Sequence, residues 1–225
     1  DSADVDFRVE SNNNANAIFV NGGTDSVTIG ASGVVQTVAG IPFFSDTTNG
    51  SIYTHDVSGT DNSAVSNTAY GFAALDAITE GDYNTAIGQG AGGAITTGNR
   101  NTILGVSTGD AITTGTHNVL IGNSTGGNFD AETHNLAVGF SSLSGSVAGG
   151  EFNVAIGNYT LDALTSGDNN VAIGYNAGTA ITTGGNNVII GEEAGVAITE
   201  GSGNVAVGME AVSYTHLTLP TKWIV

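Results

Sequence analysis

The 225 residues contain no cysteine, which excludes a disulfide framework and any thiolate metal site. Basic residues are nearly missing too. Arg8, Arg100 and Lys222 stand against 21 acids, for a formal net charge of −18. Neutralising nucleic-acid phosphates takes clustered Lys or Arg, and so does docking on an anionic bilayer, so both partners are disfavoured. No stretch approaches the ~18 consecutive apolar residues of a bilayer span, so membrane insertion is not expected. Only 11% of the chain is charged, and the 35 glycines follow no Gly-X-Y register. Collagen is thereby excluded, and an apolar content of 40% argues against a disordered linker. The chain opens on Asp1 with no signal-peptide pattern, which reads as a fragment or a processed product.

What the sequence does hold is one phrase, Asn-x-x-x-Gly, nine times over. It reads NTAYG from Asn67, NTAIG from Asn84, NTILG from Asn101, NVLIG from Asn118 and NLAVG from Asn135. It continues as NVAIG from Asn153, NVAIG from Asn170, NVIIG from Asn187 and NVAVG from Asn204. The period is 17 residues, with one 18-residue step between Asn135 and Asn153. A period this short, sustained over residues 66–212, predicts an all-β solenoid of stacked coils. Residues 1–34 carry three β-type runs, at 6–10, 17–20 and 26–29, and form a short N-terminal strand region. Residues 35–65 read as an irregular connector with room for one hairpin. From 213 to 225 the repeat stops, and SYTHLTLPTKWIV has no glycine but holds the only lysine and tryptophan. That tail resembles translated sequencing-adapter read-through and is taken as non-native.

Each coil divides in two. The asparagine, three small or apolar residues and a glycine form the first half. A looser pattern follows, such as Ala91-Gly92-Gly93-Ala94-Ile95 or Thr160-Leu161-Asp162-Ala163-Leu164, closed by a turn such as Thr96-Thr97-Gly98. Two short strands and two corners per coil are expected. Glycine suits the corners because positive φ costs it little, and asparagine because its amide bonds locally and it tolerates the left-handed region. In the first strand the outer pair (Val154 and Ile156, Val205 and Val207) points one way and the middle residue the other. Both sets are apolar. Ile156 and Ile173 are natural candidates for interior residues. Because a lone solenoid should show one polar face, the other apolar face is expected to pack on sister chains. Homo-oligomerisation follows, and three-fold symmetry suits a fibre.

The phrase at Asn153 and Asn170 (NVAIG) resembles the head repeats of YadA-like trimeric autotransporter adhesins. The cycle NTAYGFAALDAITEG from Asn67 is even more similar to repeats in bacteriophage tail fibres, where strands like DFRVES, AIFV and SVTIG often precede them. The resemblance covers roughly residues 5–212. It implies a left-handed parallel β-roll in a homotrimer, serving as a virion tail-fibre segment that supports or contributes to receptor recognition. The alternative it implies is a bacterial surface adhesin head that binds host or matrix.

Motifs that resemble catalytic chemistry carry little weight here. Gly88-Gln89-Gly90-Ala91-Gly92-Gly93 fits G-x-G-x-x-G without the helix and acidic residue that dinucleotide binding requires. Ser107 and Ser124 each lie in G-x-S-x-G, 17 residues apart, which is repeat geometry and not two nucleophile elbows. No enzyme activity, cofactor or metal is expected. Calcium-binding β-rolls use Gly-Gly-x-Gly-x-Asp on a nine-residue period, which Gly184-Gly185-Asn186-Asn187 does not supply. An ice-binding solenoid needs Thr-x-Thr ladders, whereas Thr96-Thr97, Thr113-Thr114 and Thr182-Thr183 are adjacent pairs at a turn. One column varies informatively: the residue before the repeat asparagine. It includes Tyr83, Arg100, His117, His134 and Phe152. As an exposed corner, this ladder could stack on the sugars of a cell-surface glycan, contact a protein receptor or hold a metal between His117 and His134. The alternative is that it only shields the stack.

Overall fold

The structure is a computed structural model that describes residues 63–145, 149–214 and five short strands between residues 19 and 53. Strands β1 (Phe19–Asn21) and β2 (Ser26–Thr28) form an antiparallel hairpin. The third expected run, at 6–10, lies outside the described residues, as do 215–225. The stretch read as an irregular connector holds β3 (Gln36–Val38), β4 (Ile41–Asp46) and β5 (Ser51–Tyr53). These three form an antiparallel meander, and β5 pairs parallel with the first repeat strand. Its alternation was obscured because Pro42 and the Phe43-Phe44 pair break the polar-apolar pattern.

The repeats form a parallel β-solenoid with one turn per 17-residue coil. Its strands are β6 (Thr68–Tyr70), β7 (Thr85–Ile87), β8 (Thr102–Leu104), β9 (Val119–Ile121) and β10 (Leu136–Val138). They continue as β11 (Val154–Ile156), β12 (Val171–Ile173), β13 (Val188–Ile190) and β14 (Val205–Val207). With β3 to β5 they make one twelve-stranded sheet in sequence order. Equivalent residues pair without slippage, as in Ala155 with Ala172. The 18-residue step leaves the register intact: Leu136 pairs with Val154.

There is one strand per coil, not two, and no helix among the described residues. The second half is a series of turns in which the sixth and eighth residues after the asparagine take positive φ, such as Ser107 and Gly109 (48° and 55°) or Tyr159 and Leu161 (57° and 52°). Alternating left-handed residues curl the chain too tightly for a second ladder of extended residues.

The strand's middle residue is the interior one. Ala155 and Leu120 are fully buried, whereas Ile156 and Ile173 are each 36% exposed, so their expected interior placement is reversed. Facing the middle residue across the core is the eighth residue after the asparagine, and the two compensate in volume. Ala137 meets Leu143 and Ala155 meets Leu161, whereas Ile103 goes with Gly109, Leu120 with Gly126 and Ile189 with Gly195. Where both are small, at Ala86 and Gly92, the coils on either side fill the space. A Cβ on Gly92 would lie 3.0 Å from Ile103 Cδ1 and 3.2 Å from Leu75 Cδ2. A third column, including Ile78, Ile95, Ile112, Leu164 and Ile181, closes the core. Full burial stabilises each such side chain by about 1.5–3 kcal/mol.

Candidate functional site

The repeat asparagines Asn67, Asn84, Asn101, Asn118, Asn135, Asn153, Asn170, Asn187 and Asn204 stack into one internal column. All but the terminal Asn204 are at most 2% exposed. Each takes its place through bonds to the next coil, not through the local amide bond and left-handed backbone expected of a corner asparagine. Asn153 Oδ1 accepts from the Asn170 backbone N–H (2.9 Å) and from Asn170 Nδ2 (3.1 Å), while Asn153 Nδ2 donates to the Gly167 carbonyl (2.9 Å). The amide is needed because it alone offers an acceptor upward and a donor inward at once.

The left-handed residue is the one before. Tyr83, Arg100, His117, His134 and Phe152 all have φ between 57° and 60°, and all are exposed. The structure brings them into one column, with contacts in two groups. Arg100 Cζ lies 5.2 Å from the Tyr83 ring centroid. The His117 and His134 rings are 4.8 Å apart and 3° from parallel, and Phe152 continues the pile 4.8 Å beyond His134. Nδ1 of His117 is 3.1 Å from Thr116 Oγ1, and Nδ1 of His134 is 3.0 Å from Thr133 Oγ1. Two consequences follow. Ring faces within the pile are covered by one another, which leaves edges and not faces for any sugar. Parallel imidazoles this far apart cannot both aim a lone pair at one ion lying about 2.0–2.1 Å from each. Among the described residues no three His, Asp or Glu side chains gather as a metal site.

Between this ladder and the glycine corner runs the outer face of the strands. Ile87, Leu104, Ile156, Ile173 and Ile190 form a column that is 36–42% exposed. Beyond the glycine stands a further exposed column with Phe72, Val106, Phe140 and Tyr175, five residues after each asparagine. Phe140, Tyr159 and Tyr175 make successive edge-on contacts, at 5.3 and 6.2 Å. This column was not recognised in the sequence, although every second coil shows an apolar residue there. No acidic residue stands on the strands' outer face or in the ladder of a chain with 21 acids. At 4.8 Å per coil and ~3.3 Å per residue the band from ladder to outer column is about 40 Å long and 15–20 Å wide, with the apolar strand face, about 7 Å wide, along its middle and polar residues such as Arg100, Gln89, Asn123 and Glu192 in its borders.

No family model, curated protein or solved structure matches the chain. The fold is a parallel β-solenoid. Of the motifs set aside above, Gly88 and Gly105 belong to the corner-glycine column, with φ of 133° and 137°, where a Cβ would collide with the carbonyl of the next coil. Ser107 and Ser124 sit in the turn series with no helix after them among the described residues. The Ser107 hydroxyl bonds the Asp110 carboxylate; desolvation raises the pKa of that acid, opposed by this bond and by one from its own backbone.

Proposed function

We propose that the chain is a non-enzymatic structural segment of a homotrimeric fibre of the phage tail-fibre kind, spacing or presenting a receptor-binding tip on the virion. The observation that carries this is the apolar strip. A specific interface takes about 800 Å² from each partner, with an apolar centre and a polar rim. A band of about 600–800 Å² whose central strand face is apolar and free of acids, with Glu192 as the single acid at one border of a strongly acidic chain, suits contact with further copies of the same chain. Three rods meeting on a common axis bury it fully. Light scattering on the purified chain is expected to give three times the 22.4 kDa chain mass; a folded monomer would sink the proposal. The second reading, a bacterial surface adhesin head, draws on the exposed ring edges and nitrogens of the 83–152 ladder. Saturable binding of the chain to host cells, lost in Tyr83→Ala/Phe152→Ala, would favour it.

A further inference from the structure

We infer that the ladder of Tyr83, Arg100, His117, His134 and Phe152 is a seam between chains, seated against the Phe140-containing column of the neighbouring copy. The inference rests on the trimer reading and specifies which surfaces meet. Cyclic symmetry makes the contact heterologous: each chain must offer two different borders, one to each neighbour. The strip has two such borders. One is the ladder, immediately before each asparagine; the other is the column five residues after it. With the strip turned to the three-fold axis, the first border of one chain lies against the second border of the next at similar height.

Two independent observations support this. The first is conformational. The ladder positions are left-handed, where asparagine and glycine are cheapest, and the last three coils do carry Asn169, Asn186 and Gly203 there. Tyr, Arg and Phe are strained at such a φ relative to glycine. Stacking within the pile offsets part of that strain, and burying the ring edges against another chain adds to that offset. The second is charge. Among the ladder and the facing column, the one guanidinium, Arg100, stands in the ladder and the one acid, Glu192, in the facing column. No vertical offset of the two borders therefore sets like charges together.

Cysteine pairs test this in the full chain, which has none of its own. His134→Cys is combined in turn with Asn123→Cys, Phe140→Cys and Asn158→Cys, which sample three vertical offsets. Within one chain these positions stand on opposite borders, beyond the ~7 Å Cα limit of a disulfide, so a bridge must join chains. Mild oxidation is expected to give a covalent three-chain species for at least one pair, and the offset that closes reads the register. A trimer by light scattering in which no pair cross-links overturns the seam while leaving the trimer standing. So does His134→Cys alone forming two-chain products, because that requires ladder against ladder. A monomeric mass removes both. As a second readout, His117→Gly/His134→Gly is expected to keep the solenoid's circular dichroism and raise the trimer's dissociation constant at least tenfold. Unchanged dissociation opposes the seam.

Discussion

Asn153→Ala is expected to be far more damaging than Asn204→Ala, although the two residues occupy the same place in the repeat. In the wild type, Asn153 satisfies the Gly167 carbonyl and the Asn170 N–H of the next coil, both inside the stack. Alanine leaves both unpaired with no route to water. At about 1–3 kcal/mol per buried orphan, the cost is about 2–6 kcal/mol. Asn204 has no coil beyond it among the described residues, and its Nδ2 only supplements a bond that its backbone N–H already makes to Asn187 Oδ1. Its loss should cost about 1 kcal/mol or less. Guanidinium titrations followed by circular dichroism, compared at equal m-value, measure the difference. Equal midpoints for the two variants would refute the view that the asparagine column, and not asparagine as a turn former, holds the coils together. Asn153→Asp adds a control: it keeps the acceptor but loses the donor, and should fall at least as far as alanine because its carboxylate is buried.

Other expectations follow from the same geometry. Ala155→Asp should abolish folding, whereas Ile156→Asp should leave a folded chain and dissociate the proposed trimer; sedimentation and circular dichroism together separate these outcomes. Leu120→Ala and Gly126→Leu should each destabilise, by about 2–4 kcal/mol for the cavity and about 1–3 kcal/mol for overpacking, yet largely rescue one another, because a Cβ on Gly126 would meet Leu120 first (2.8 Å) and coils such as Ala137 with Leu143 already use that pairing. A double-mutant cycle reads the coupling. Gly115→Ala places a Cβ 2.6 Å from the Glu132 carbonyl and should lower the melting midpoint sharply. Glu132→Gln should destabilise the 18-residue coil, since its carboxylate accepts from the backbone N–H groups of Asp130 (2.6 Å) and Gly149 (2.9 Å). Hydrogen exchange at Gly149 measures that effect locally.

Much of this was written in the sequence in a form that spacing alone can read. The asparagine period located every repeat strand, and the column before it located the ladder, because parallel stacking turns sequence offset directly into spatial neighbourhood. Three things were not legible. A strand apolar on both faces does not say which face is inside, so Ile156 was placed wrongly; only the tight pairing of Ala155 with Leu161 across the core decides it. The second half of each coil was misread as a strand because left-handed residues such as Ala73, Leu75 and Leu161 are not glycine and give no turn signal. The amide of Asn153 was assigned a local role, since nothing in one repeat shows that its partners sit in the next.

Hydrogen bonds between coils run along the rod, so a pull on its ends loads them directly in tension. Each coil contributes about 4.8 Å of length while folded and, once peeled away, about 55–60 Å of extended chain. A tether of this kind lengthens more than tenfold before any covalent bond is strained, giving way one coil at a time from its least supported end. A particle held to a surface through such a rod is cushioned against sudden shear.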